Sequence, residues 1–148
     1  MIIQDTRQKK GKHKNVERYF ITHNIIFENK KLDVGDYMLS TNNHVSVDTK
    51  YGMDELSTNL TNREDNKRFM AEIRRAYKSG IKLIILIEDG KIKDKNDVAG
   101  WKSKYTGVTG GRLLQEMFRL EMSYGVRFMF TDRRNCGRRI MEILTTGQ

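Results

Sequence analysis

The chain is predicted to fold as a layered α/β domain, a central mixed β-sheet flanked by helices. Three observations carry that expectation. Residues 81–87, IKLIILI, are apolar almost without a break, as in a strand covered on both faces. Helical and strand patterns alternate through the second half of the chain, which demands crossover connections and hence parallel strands. Residues 35–50 read instead as a hairpin, whose two strands must run antiparallel.

The elements follow in order. Residues 1–5 form a short strand, and residues 7–14 (RQKKGKHK) a basic segment with no acid. Val16, Tyr19, Phe20 and His23 recur at three-to-four spacing, the pattern of a short amphipathic helix. Ile25, Ile26 and Phe27 are apolar and rich in β-branching, as strands are. A hairpin follows, with Asn-rich turn chemistry at residues 41–43. Thr61 and Glu64 have capping-box spacing and open a helix with Phe69, Met70, Ile73, Ala76 and Tyr77 on one stripe, ending at Gly80. After the strand at 81–87, residues 89–111 form a long loop. Residues 112–124 are a helix with Leu113, Leu114, Met117, Phe118 and Leu120 inward. Residues 126–131 are a strand, and residues 133–144 a helix that buries Cys136, Ile140, Ile143 and Leu144.

The 148 residues suit one domain, 1–148. Cys136 is the only cysteine, so no intrachain disulfide exists and a reducing compartment is expected. Mean hydropathy is −0.69, and no apolar run reaches the ~20 residues of a membrane span. The N-terminus is too short and acidic for a signal peptide. These features point to a soluble cytoplasmic protein. Lys and Arg number 28 against 19 Asp and Glu, a net charge of +9. That excess favours a polyanionic partner, most often nucleic acid; a merely soluble basic protein is the alternative.

Chemistry concentrates in residues 36–54. Alternate strand residues share a face, so His44, Ser46, Asp48 and Lys50 lie on one side and Val45, Val47 and Thr49 on the other. With a three-residue loop at 41–43, Ser40 faces His44, Met38 faces Ser46 and Asp36 faces Asp48. Facing carboxylates repel, and a divalent cation between them reverses the sign. A two-residue loop pairs Asp36 with Thr49 instead. An ordinary solvated hairpin face remains the alternative.

Gly35-Asp36, a gap, Asp48-Thr49-Lys50, three residues, then Asp54 resembles the XPF family of structure-specific DNA endonucleases. The family pattern is Gly-Asp, a gap, Glu-Arg-Lys, three residues, Asp, on a restriction-endonuclease-like fold. Ile2-Ile3-Gln4-Asp5-Thr6-Arg7-Gln8 fits the opening strand that ends in Asp-x-Arg-Glu. Arg68 and Glu72 fit the polar pair on the following helix, and residues 83–88 the apolar strand ending in Glu. Asp48, Thr49 and Gln8 depart from the family's Glu, Arg and Glu. The resemblance implies a metal-dependent endonuclease for branched, flapped or forked DNA. Asp36, Asp48, Lys50 and Asp54 would be catalytic. Asp36, Asp48 and Asp5 would bind Mg²⁺ or Mn²⁺, and Arg7, Gln8, Arg68 and Glu72 would support the site. Alternatives are a non-catalytic DNA-binding subunit, a junction resolvase or a restriction-type nuclease. A second copy or partner subunit and a nucleoid location in a bacterial or phage-infected cell are compatible.

Two basic segments are candidate phosphate contacts. One comprises Lys9, Lys10, Lys12 and Lys14; the other comprises Arg133, Arg134, Arg138 and Arg139. A solvated surface is the alternative for each. In the long loop, Trp101 and Tyr105 stand among Lys93, Lys95, Lys102 and Lys104. That mixture suits base stacking, or a small apolar cluster under the loop.

Overall fold

The computed structural model describes residues 1–7 and 11–148, so the expectations for Gln8, Lys9 and Lys10 lie outside the described residues. The strands are β1 (Ile2–Gln4), β2 (Phe27–Asn29), β3 (Tyr37–Leu39), β4 (Asn42–Tyr51), β5 (Lys82–Glu88) and β6 (Arg127–Thr131). They make one sheet in the order β2-β1-β3-β4-β5-β6. Pairs β1–β3 and β3–β4 are antiparallel, whereas β1–β2, β4–β5 and β5–β6 are parallel. The mixed α/β sheet expected from the sequence is therefore present.

Among the described residues six helices cover it: α1 (Lys14–Thr22), α2 (Gly52–Thr61), α3 (Arg63–Lys78), α4 (Lys95–Ala99), α5 (Gly110–Tyr124) and α6 (Cys136–Thr146). β5 explains why two layers are needed. Residues 83–87 are each no more than 1% exposed. Leu83, Ile85 and Ile87 pack into a core with α2, α3 and α5. Ile84 and Leu86 pack on the opposite face with Val45, Val47, α1 and α6. Full burial of each such side chain stabilises by roughly 1.5–3 kcal/mol, so neither face tolerates solvent.

The hairpin differs from expectation in an instructive way. Ser40 and Thr41 make the turn, and Leu39 pairs with Asn42, so Ser40 does not face His44. A register shift between Met38 and Leu39 then sets Met38 opposite Ser46 and Tyr37 opposite Val47. The shift leaves residues 43–45 of β4 without a partner on β3, and the inner register is the one the three-residue loop predicts.

Other expectations are corrected. The helix α2 lies between hairpin and α3, where the sequence pattern announces none. Its Thr61 ends it, and the cap of α3 is Asn62, whose side chain accepts the Asp65 N–H. β2 starts at Phe27 rather than Ile25, and α6 at Cys136 rather than Arg133. The long loop contains α4. Tyr77 and Phe118 are exposed, not inward, because each sits at the rim of its helix's apolar stripe. No helix is long and apolar enough to cross a membrane, among the described residues.

Candidate active site

Gly35 adopts φ +73, and a Cβ there would meet Ser46 Oγ at 2.1 Å. Only glycine fits this approach to β4. The next residue, Asp36, is thereby pinned. Its N–H donates to Val47 O at 2.7 Å, and its own carbonyl accepts the Asp5 N–H at 2.8 Å. Its Oδ2 accepts from Thr49 N–H at 2.9 Å and Thr49 Oγ1 at 2.8 Å. Asp36 thus sits just before β3, with its carboxylate turned along β4.

Asp48 and Lys50 project from the same face of β4. Lys50 Nζ stands 2.9 Å from Asp48 Oδ2 and 5.1 Å from the centre of the Phe69 ring. Lys50 is thus the ion-pair partner of that buried carboxylate oxygen. From α3, Glu72 Oε2 accepts the Gly35 N–H at 3.3 Å. Lys12 Nζ donates to Thr49 O at 3.2 Å and lies 3.9 Å from Asp36 Oδ2.

These groups line one solvent-accessible pocket of about 350 Å³. Asp5, Asp36, Asp48 and Lys50 are brought together in it, with Arg7, Arg68 and Glu72 at its wall. Asn59, Asp65, Phe69 and Arg75 also line it, although their sequence pattern gives no sign of a site. Arg75 has an apolar-stripe helix as its only context, and Asn59 belongs to α2, which has no strong pattern of its own. The spacing of Phe69 on α3 signals core, and it is core; only the three-dimensional packing brings Lys50 over its ring.

Burial and like charge act against the carboxylates in this pocket. Burial pushes the Asp36 carboxyl up to about 7, and the Asp48 charge adds to that rise; Lys12 and the Thr49 bonds oppose it. Burial, with Asp48 again second, pushes Glu72 up to about 8. For Lys50, burial works against the charge, but Asp48 and then Glu72 and Glu55 hold the ammonium above its ordinary range. Asp5 is engaged elsewhere: its Oδ1 accepts the Leu32 N–H at 2.9 Å, and Arg7 Nε lies 3.4 Å from both oxygens. Arg7 also donates to Leu32 O, so the pair ties down the segment that leads into Gly35.

Asp54 is not brought to the pocket. It is exposed in the first turn of α2, where its negative charge suits the helix N-terminus. Lys12 is 14% exposed and points inward, whereas Lys14 is exposed. Arg133, Arg134 and Arg138 are exposed around the start of α6, and Arg138 and Arg139 both approach Glu142. His13 is buried against Tyr37, to which its Nδ1 is hydrogen-bonded; burial first and then Lys12 lower its pKa to about 4. No three His, Cys, Asp or Glu side chains close around one point as a ready metal cage, among the described residues.

The sequence pattern of the ERCC4 domain matches residues 4–141. XPF from Aeropyrum pernix superposes with a TM-score of 0.73 at 18% identity, covering 99% of this chain and 64% of that chain. XPF from the same organism in complex with DNA gives 0.70 at 19% identity, over the same shares. The chain therefore spans 64% of the length of these solved structures. No curated protein sequence matches it. The likeness at this identity establishes a shared fold, and the resemblance read from the Gly35-Asp36 and Asp48-Thr49-Lys50 motifs is borne out. With its pattern matched across residues 4–141, the chain belongs to the ERCC4 domain family.

Proposed function

We propose that this domain is a metal-dependent endonuclease that hydrolyses DNA phosphodiester bonds, with branched, flapped or forked DNA as its substrate. The observation that carries the reading is the crowding of Asp36, Asp48 and Glu72 around Lys50 in one pocket. Like charges buried together cost stability unless a cation joins them. Only oxygen donors are offered, which suits a hard ion. Mg²⁺ and Mn²⁺ take one or two carboxylates and keep other positions for water and phosphate, so the lack of a three-residue cage is no obstacle.

Asp36 and Asp48 would hold the ion, with Asp5 as a supporting carboxylate. Asp48 Oδ2 is held by Lys50 at 2.9 Å, so the ion would share that carboxylate with the ammonium. When bound, the ion supplies an acidified water and neutralises charge on the scissile phosphate. Lys50, held beside Asp48 and over Phe69, would supply positive charge against the negative charge that develops on phosphate. Glu72 holds the Gly35 N–H and with it the turn that places Asp36. Arg7 and Arg68, at the pocket wall, would be available to phosphate oxygens. The net charge of +9 supplies attraction that is independent of base sequence. An XPF of the same fold is recorded in complex with DNA, which supports the choice of polyanion.

The test is a labelled panel of single-stranded, duplex, flap, fork and four-way DNA, each with Mg²⁺, Mn²⁺ or chelator. Cleavage of branched forms in metal and none in chelator is expected. Binding without cleavage on every form would replace this reading with that of a non-catalytic DNA-binding subunit.

A further inference from the structure

The two aromatic residues of the 89–109 segment part company. Trp101 is half-buried against the core under the loop. Tyr105 is 82% exposed at the tip. Apolar cluster and free ring are therefore both realised, one by each residue.

The tip is rigid. Lys102 and Thr109 form an isolated antiparallel bridge, and the Ser103 N–H donates to Val108 O at 2.9 Å. Buried Ser103 accepts the N–H groups of Tyr105 and Thr106 at 3.1 and 3.2 Å through its Oγ. Val108 is buried in the core, and a Cβ on Gly110 would meet Val98 O at 1.6 Å, so the loop's base is tightly packed. The hydrogen-bonded loop holds the ring out in water, uncovered among the described residues. Lys102 and Lys104 flank it, both exposed and without an ion pair among the described residues.

Position matters too. β5 ends at Glu88 beside Tyr51 of β4, so the segment leaves the sheet at the edge where Lys50 lies. α5 starts at Gly110 and must return along the sheet to reach β6, which keeps the tip at that edge. Val98 and Val108 join the same core as Phe69, so loop and pocket also share a face of the sheet.

We propose that Tyr105 is a stacking platform for an unpaired base of the bound DNA, with Lys102 and Lys104 holding the adjacent phosphates. Every base offers a π-face, and a duplex hides all but its ends, so such a platform selects unpaired nucleotides. This rests on DNA as the substrate but not on cleavage.

The test uses the full chain in chelator and forked DNA carrying 2-aminopurine in its unpaired arms, with a fully paired duplex as control. Wild type and Tyr105→Phe should change the probe's fluorescence on binding. Tyr105→Ala should lose that change and bind the fork ~5-fold or more weakly, with duplex affinity unchanged. Its melting temperature should match wild type, since the side chain is exposed. Equal fork affinity for Tyr105→Ala and wild type would overturn the stacking role and leave Tyr105 for a protein partner. An equal loss on duplex and fork would also overturn it. Failure of the wild type to bind any DNA would sink the substrate reading with it, whereas binding without cleavage leaves the platform standing.

Discussion

Lys50 Nζ lies 2.9 Å from Asp48 Oδ2, one step along the same face of β4. A cation and a carboxylate so placed separate two roles that substitution can split. Asp48→Asn removes a donor charge for metal; Lys50→Ala removes the ammonium and keeps both proposed donors. Each is expected to lower cleavage by ~10²-fold or more, the scale for losing one electrostatic stabiliser. Asp48→Asn should also lose Mn²⁺ affinity, while Lys50→Ala keeps it. Nicking assays with a parallel Mn²⁺ titration read both. Unchanged cleavage by Asp48→Asn would place the chemistry elsewhere.

The metal-free pocket should make stability fall as pH rises. Asp36 and Glu72 bind protons more tightly folded than unfolded, at about 7 and about 8. The folded state then holds more protons between the ordinary carboxylate range and pH ~8, so the favourable contribution present at low pH is lost as pH rises through the folded values. His13, lowered to about 4, acts in the opposite direction, but its contribution is complete above its unfolded value of 6.5. From pH 6.5 to 8 only the carboxylates act among these groups. The melting temperature in chelator should drop across that window, and Glu72→Gln should flatten the drop. Added Mg²⁺ should offset it with release of protons. A rising melting temperature in chelator would contradict the crowding argument.

Phosphate binding by the α6 arginines predicts a salt dependence that substitution reduces. Arg138 and Arg139 approach Glu142 on an exposed helix face, and such surface pairs contribute little enough to be exchanged for phosphate. Arg134→Glu and Arg138→Glu are expected to weaken binding to all DNA sequences alike. Removing one arginine–phosphate pair should lower the slope of log affinity against log salt by about 1. Fluorescence anisotropy over a salt series measures it; an unchanged slope would remove this face from the DNA footprint.

Gly35→Ala tests how the turn before Asp36 is held. The added Cβ overlaps Ser46 Oγ, and φ +73 is strained for any side chain. A loss above ~1 kcal/mol is expected in denaturant unfolding, together with loss of cleavage, because the Gly35 N–H bond to Glu72 and the seat of Asp36 move as one. A variant that folds and cleaves as wild type would show that the turn is not needed.

Much of this is legible in the chain. The alternation in β4 places Asp48 and Lys50 on one face, and the apolar run of β5 announces a strand with cores on both sides. The Gly35-Asp36 turn carries its own signature. Other features have no local signal. The bulge after Met38 depends on how β3 meets β4, so counting loop residues reaches the right inner register from the wrong turn. α2 interrupts the chain without strong periodicity and is fixed by burying Met53, Leu56 and Leu60. Asp54 shares the motif spacing of the family yet points outward, because helix geometry after Tyr51 turns it off the β4 face.

Lys12 shows the same limit most clearly, and it yields the sharpest contrast. In sequence it is one of a run of lysines and reads as a phosphate contact. In the fold it donates to Thr49 O and faces Asp36, lowering the carboxyl that burial and Asp48 raise. Lys12→Met should therefore push Asp36 further up. Mn²⁺ affinity should fall below pH ~7, where Asp36 then holds its proton. Above pH ~8.5 it should match or exceed wild type, since a repelling cation has gone. Lys14 is exposed on α1, and Lys14→Met should leave the Mn²⁺ profile unchanged while weakening DNA binding in a salt-dependent way. A Mn²⁺ titration across pH for both variants, with anisotropy alongside, separates the inward lysine from the outward one. If Lys12→Met changed only the salt slope of DNA binding, Lys12 would be a phosphate contact after all, and its tie to Asp36 would have no chemical consequence.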